Sequence, residues 1–126
     1  MTITVTITDE QRLNLLTSAL EGGSNYWYLL GDDATNIIDK HFPATKDTCF
    51  VDRMWAAIKA GLSIPIRDIE EDEKIGEISL ASIEKGEQLL ADHLPNHLAD
   101  ILNENDDANT GDVWFQYCSL GELVYG

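Results

Sequence analysis

The chain of 126 residues carries 23 Asp and Glu residues against eight Lys and Arg residues, a formal net charge of −15 at pH 7. Such a charge repels nucleic acid and anionic membranes and favours encounters with basic surfaces, which excludes direct nucleic-acid and membrane binding as expected functions. A hydrophobic content of 44% is too high for an acidic disordered tail and predicts one folded domain over residues 1–126.

The first predicted elements are a strand and a helix. Residues 2–8 alternate between Thr and an aliphatic residue, a period of two that predicts a half-buried strand. Asp9 is the expected N-cap of the helix, which should stop at Gly22-Gly23 because glycine can take the left-handed conformation there. Residues 26–30 fit either a short helix or an extended apolar segment.

The middle of the chain predicts two helices followed by a hairpin. A short helix over residues 34–41 ends before Pro43, and a longer one runs from Phe50 to Gly61. Residues 62–67 then alternate as a strand, in which Pro65 requires an edge or a bulge because proline cannot donate to a ladder. The acids of residues 70–73 form the turn, and residues 75–80 return as the partner strand.

The last third predicts three helices. Ser82 is the expected cap of the first, Pro95 separates it from a second short helix, and residues 103–111 form a polar connector. Asp112 is the expected start of a final helix that is apolar on nearly every side and runs to the chain terminus. Together these elements predict an α+β fold, with a small antiparallel sheet of about three strands and helices packed mainly on one face.

Sites for catalysis or metal binding are not indicated. No serine is flanked by the glycines of a nucleophile elbow, and the acids of residues 106–112 lack the alternation of a calcium loop. His93 and His97 are four residues apart, but Pro95 breaks the helix that would pair them as metal ligands. We therefore expect a non-enzymatic protein without a cofactor or a metal.

Cysteine usage and the N-terminus predict a cytoplasmic protein. Cys49 and Cys118 show no CxxC spacing and are expected to be small buried side chains in a reducing compartment. The first residues lack the basic and apolar regions of a signal peptide.

A segment rich in glycine and aromatic residues is open to two interpretations. It could be a ligand-binding loop, with close backbone approach, hydrogen-bonding side chains and stacking surfaces, or simply a helix end followed by core aromatics. It lacks the Lys-Ser/Thr pair of a phosphate loop. The candidate ligand residues are Gly22, Gly23, Ser24, Asn25, Tyr26 and Trp27.

The excess negative charge lies in the C-terminal half, where residues 64–126 hold 15 of the 23 acids but three of the eight bases. Duplex DNA presents one charge per roughly 1.7 Å of axis, a density that carboxylates on a hairpin and helix can approximate. The alternative is a solvated surface that only maintains solubility. The acids predicted to bind a partner are Asp68, Glu70, Glu71, Asp72, Glu73, Glu77, Glu84 and Glu87.

Three segments resemble a known group of proteins. The sequence LEGGSNYW at residues 20–27, the acidic segment at residues 105–112 and the ending GELVYG resemble signatures of small proteins encoded by bacteriophages and prophages. The resemblance implies a phage product in the bacterial host cytoplasm, where such proteins often block restriction, CRISPR or nucleotide-signalling defences.

Charge and resemblance together lead to one favoured hypothesis and two alternatives. The favoured hypothesis is an inhibitor of a host defence protein with a basic or nucleic-acid-binding surface, such as an anti-CRISPR protein or DNA mimic. The first alternative is a protein that sequesters a small molecule or nucleotide at the glycine-aromatic segment. The second is a structural homo-oligomer that uses Trp114 and Tyr117 as its interface.

Overall fold

The computed structural model describes residues 6–126, over which six α-helices accompany one three-stranded antiparallel sheet. The helices are α1 (Asp9–Ser18), α2 (Asp32–His41), α3 (Phe50–Lys59), α4 (Leu80–His93), α5 (Pro95–Leu102) and α6 (Ala108–Leu120). The strands are β1 (Tyr28–Leu29), β2 (Ile64–Asp68) and β3 (Lys74–Ile78), in the order β1-β2-β3. The predicted α+β fold with about three strands is confirmed.

Within residues 6–126 the sheet includes a short strand, β1, that the sequence did not clearly predict. Most of the strand predicted over residues 2–8 falls on residues 1–5, outside the described residues, and residues 6–8 are irregular. Strand β1 is two residues long and pairs antiparallel with Arg67 and Asp68 of β2. Of the two structures that fit residues 26–30, the extended one is formed at Tyr28 and Leu29, after a turn that includes residues 26 and 27.

Helix α1 begins with a capping box one residue earlier than expected. Thr8, rather than Asp9, is the N-cap: its side chain accepts a hydrogen bond from the Gln11 amide (3.1 Å), and the Gln11 side chain accepts one from the Thr8 amide (2.9 Å). The two groups thus satisfy amides that the first helical turn leaves unpaired.

Helix α1 continues into a π-helical turn, Ala19–Gly23, that ends at the predicted glycines. The predicted left-handed stop is not formed, because Gly22 has an extended φ of 178°. Gly23 is required for a different reason: a Cβ there would lie 2.3 Å from the carbonyl oxygen of Ala108. The glycine lets the end of this turn pack closely against the start of α6.

The predicted hairpin is formed by β2 and β3. The strands pair from Ile64 with Ile78 to Arg67 with Lys74, with an irregularity between Ile66 and Arg67. Because β1 reaches only Arg67 and Asp68, the one strand that pairs with Pro65 within residues 6–126 is β3. This position tolerates the missing amide donor of proline.

The starts of α4 and α6 differ from the sequence predictions. Ser79 caps α4, and Ser82 occupies the third helical position of a second capping box. Asp107 caps α6 by accepting from the Thr110 amide (2.9 Å), so Asp112 lies inside the helix and not at its start. Helix α6 ends at Leu120, before a left-handed Gly121, and the chain continues as a short C-terminal tail.

Helix α6 is the centre of the fold. Every residue from Thr110 to Ser119 is buried, and the main neighbours of the helix are α4, α1 with its π-helical turn, and β3. Trp114 and Tyr117 are among these buried residues, so the aromatics considered for a homo-oligomer interface are covered by this chain itself. Within residues 6–126, none of the helices has the length and apolar character needed to span a bilayer.

Candidate functional site

The carboxylate of Asp112 lies at the centre of a buried hydrogen-bond network. The residue is 5% exposed, and its Oδ1 accepts from the Ser24 hydroxyl (2.7 Å) and the Trp27 indole N–H (2.8 Å). Its Oδ2 accepts from the Tyr26 hydroxyl (2.6 Å), while Gln116 Nε2 lies 3.2 Å from both oxygens. An ionised carboxylate can only accept, and all of these partners can donate. The network therefore joins the glycine-aromatic segment to α6.

The C-terminal tail is bound to the same network through Gln116. Its Oε1 accepts from the amides of Val124 (2.9 Å) and Tyr125 (2.8 Å), and its Nε2 donates to the Tyr125 carbonyl (3.2 Å). The Tyr125 ring stacks on Trp27 with ring centres 5.0 Å apart and planes 9° from parallel. Residues 24–27, Asp112 and the C-terminal tail therefore meet at one place in the fold.

This arrangement assigns the glycine-aromatic segment a structural role. Ser24 and Trp27 are buried, and their polar side-chain atoms are bound to Asp112. Gly23 packs against α6, whereas Gly22 and Asn25 are exposed. Of the two interpretations of this segment, the geometry favours the helix end with core aromatics over the ligand-binding loop.

The tyrosines of this region are expected to ionise late. Partial desolvation and the bond of its hydroxyl to the buried Asp112 carboxylate raise the pKa of Tyr26 to about 12, although half of the residue is exposed. Desolvation also raises the pKa of Tyr28 and, together with Asp68, that of Tyr125. Unfolding restores ordinary values, so the stabilisation is complete below about pH 10 and declines as the pH rises toward 12.

An ultraviolet titration of tyrosinate formation tests this expectation. The native protein should show absorbance changes that continue toward pH 12, and Tyr26→Phe should remove the latest component. Denatured protein, the control, should titrate near pH 10. A native titration that coincides with the denatured one would show that these hydroxyls are free in solution.

Four consecutive acids, Glu70 to Glu73, form the tip of the β2–β3 hairpin and are all exposed. We call them the acidic turn. Below the tip, Asp68 Oδ1 accepts from the amides of Glu70 (2.7 Å) and Glu71 (3.1 Å), and Oδ2 accepts from the Tyr125 hydroxyl (2.9 Å). These donors lower the pKa of Asp68, the backbone amides contributing most. Asp68 therefore fixes the acidic turn to the C-terminal tail.

The other predicted surface acids divide into two groups. Glu77 is exposed beside Lys74 (3.3 Å), and Glu84 is exposed on α4. Glu87, in contrast, is buried and accepts from the Arg12 guanidinium (2.6 Å) and the Trp114 indole N–H (3.0 Å). The prediction that Glu87 belongs to the acidic surface is wrong, because its charge compensates Arg12 between α1, α4 and α6.

A signal for this burial was present in the sequence. Ile83, Glu87 and Leu90 are spaced four and three residues apart, which places Glu87 on the apolar face of α4. A charged residue on such a face is almost never buried without a partner. Arg12, whose pKa the carboxylate of Glu87 raises, is that partner.

The histidines and cysteines lie in separate surroundings. His93 stacks on Tyr117, and His97 Nδ1 lies 3.3 Å from the Thr110 hydroxyl. Over the described part of the chain, no group of three or more His, Cys, Asp and Glu residues is placed to hold a metal ion.

Of the two cysteines, Cys118 is buried as predicted, and burial raises the pKa of its thiol. Cys49 is exposed, contrary to the prediction, because it directly precedes α3 at the end of an exposed loop.

The fold and these contacts define a small α+β protein with a buried carboxylate network and an exposed acidic turn. No protein-family model, curated protein or solved structure matches the chain.

Proposed function

We propose that this chain is a phage-type acidic binding protein that acts without catalysis in the cytoplasm of a bacterial host. It covers a basic, nucleic-acid-binding surface of a host defence protein, such as a nuclease or a CRISPR component. The observation that carries the proposal is the acidic turn, four adjacent exposed carboxylates at the tip of the hairpin. Arg67 Nη1 lies 3.5 Å from the carboxylate of Asp72, and no such ion pair is formed by Glu70, Glu71 or Glu73 within residues 6–126.

The charge spacing of the acidic turn supports DNA mimicry. Successive Cα atoms are 3.8 Å apart, so the four acids span at most about 11 Å. One strand of duplex DNA presents a charge about every 3.4 Å of helix axis, hence three or four over about 11 Å of axis, so the four acids are at least as closely spaced. A cleft that binds one phosphate strand can therefore meet a similar density of negative charge on this hairpin.

The hydrogen bonds of Asp68 give the turn a second useful property. Its two amide bonds and its bond to Tyr125 hold the base of the turn in one conformation. A preorganised surface loses less conformational entropy on binding, so more of the interaction free energy appears as affinity.

The two alternative functions have less support from the contacts. A nucleotide at residues 22–27 would compete with Asp112 for Ser24 and Trp27. A homo-oligomer through Trp114 and Tyr117 would require α6 to leave the core.

Affinity capture from a bacterial lysate tests the proposal. We expect the tagged full chain to retain nucleic-acid-binding proteins at about 50 mM salt and to lose most of them at about 300 mM, because exposed charges are screened. The variant Glu70→Gln/Glu71→Gln/Glu73→Gln should lose them at low salt. The control removes three exposed charges elsewhere: Glu10→Gln, Glu21→Gln and Asp47→Asn.

Duplex DNA added to the lysate should displace the captured proteins if both ligands use one surface. The proposal fails if no basic protein is retained, or if the hairpin variant retains the same proteins as the control.

A further inference from the structure

Exposed apolar side chains are concentrated near the acidic turn. Among residues 6–126, the large hydrophobic residues with more than a third of their surface exposed include Tyr26 (51%), Ile69 (43%), Leu123 (46%) and Val124 (53%). We call these four residues the apolar patch. Leu102 of α5, at 36%, is a further exposed residue outside it.

Hydrogen bonds join the three segments that carry the apolar patch. The Ile69 amide donates to the carbonyl of Trp27 (2.9 Å), next to Tyr26. Gln116 Oε1 accepts from the Val124 amide (2.9 Å), and Gln116 Nε2 donates to the Tyr26 hydroxyl (3.4 Å). The patch is thus assembled by the fold from residues that are distant in sequence.

The apolar patch and the acidic turn are neighbours along the chain and are joined by a hydrogen bond. Ile69 directly precedes Glu70, and Glu122 directly precedes Leu123. Tyr125, which follows Val124, bonds to Asp68 at the base of the turn. Single exposed apolar residues are ordinary, but several gathered within a polar rim are typical of an interaction site.

Resting on the function proposed above, we propose that the acidic turn and the apolar patch form one docking surface for a basic protein segment that carries apolar side chains between Lys or Arg residues. Charge complementarity selects this occupant. A second copy of this chain would bring the same acids against each other, with a net charge of −15 on each copy. Nucleic acid and anionic lipid carry the same sign of charge and are repelled.

The docking surface predicts two separable contributions to binding. The acidic turn supplies a contribution that salt screens, whereas the apolar patch supplies one that persists at high salt. A protein that only imitated DNA would lack the second contribution. The partner segment is therefore distinguished from other basic segments by its apolar side chains.

Two synthetic peptides test this inference on the full chain. One alternates Arg or Lys with Leu over about a dozen residues, and the other has the same charges with each Leu replaced by Ser. At about 300 mM salt we expect the first peptide to bind at least about tenfold more tightly by calorimetry, a difference of about 1.4 kcal/mol.

Variants separate the two parts of the surface. Ile69→Ser/Leu123→Ser/Val124→Ser keeps the backbone bonds of Ile69 and Val124 and should reduce the preference for the apolar peptide to less than about threefold. If this variant unfolds, the single change Leu123→Ser should still reduce the preference by half or more. Its matched control, Leu102→Ser, should leave the preference unchanged.

The outcomes distinguish this inference from the proposed function. Equal binding of the two peptides overturns the apolar patch but leaves charge-driven capture of a host protein intact. Absence of binding by either peptide, or a preference that Leu102→Ser lowers as much as Leu123→Ser, also overturns it. Concentration-dependent dimers in light scattering that Leu123→Ser dissociates would identify a second copy as the occupant instead.

Discussion

Replacing Asp112 by alanine is expected to destabilise the protein by about 3–4 kcal/mol, the loss of several hydrogen bonds to one buried carboxylate. The change leaves the Ser24 hydroxyl and the Trp27 indole N–H buried without their acceptor. Water cannot readily replace the carboxylate at a residue that is 5% exposed. Equilibrium unfolding in urea, followed by tryptophan fluorescence, measures the free energy difference.

Two further variants control for this effect. Asp106→Ala removes an acid from the connector before α6 and should change the free energy of unfolding by less than about 0.5 kcal/mol. Asp112→Asn keeps the shape but offers one acceptor oxygen, so its cost should be intermediate. If Asp112→Ala is no more harmful than Asp106→Ala, the carboxylate does not hold the three segments together.

Local sequence patterns were sufficient for most of the fold. The apolar spacing from Phe50 to Ile58 predicted α3, and the alternation around Pro65 predicted β2, because both patterns depend on neighbouring residues alone. The capping boxes were also local signals, Thr-x-x-Gln at residues 8–11 and Ser-x-x-Ser at residues 79–82. They were misassigned because Asp9 and Ser82 are plausible caps by residue type.

Long-range contacts explain what the sequence did not predict. Asp112 resembles an exposed helix start because acids precede it, yet three of its partners, Ser24, Tyr26 and Trp27, lie more than 80 residues away. The shift of the α6 N-terminus to Ala108 places Asp112 one turn inside the helix, facing Ser24. Only the pairing of α6 with the glycine-aromatic segment reveals that this acid is internal.

The candidate docking surface was predictable in part, because one of its two parts has a local signal in the sequence and the other does not. Four adjacent acids between two strand patterns identify the acidic turn, since a hairpin tip is exposed. The apolar patch has no comparable signal, because Ile69, Leu123 and Val124 resemble ordinary core residues in the sequence. Leu123 and Val124 lie in the tail that Gln116 binds, and Ile69 lies next to the acidic turn, so their exposure depends on the tertiary structure.

Replacing Gly86 by alanine is expected to destabilise the protein by about 2–3 kcal/mol. Alanine in a helix interior is ordinarily favoured over glycine by about 1 kcal/mol, so the expected effect has the opposite sign. The reason is the contact between α4 and α6: a Cβ at this position would lie 2.6 Å from the Cys118 Cα and from the Tyr117 carbonyl oxygen. Urea unfolding of the purified variant measures the change.

The atoms that a Cβ at position 86 would meet are all backbone atoms of α6. They belong to the backbone of a helix that is buried on all sides, so no side-chain rotation relieves the overlap and the two helices must separate. Adding Cys118→Ala should therefore not restore stability, because it leaves the Cα in place. Lys85→Ala, at the preceding exposed position of α4, is the control and should change stability by less than about 0.5 kcal/mol. A stabilised Gly86→Ala protein would mean that α4 and α6 lie farther apart, and the core around α6 would have to be packed differently.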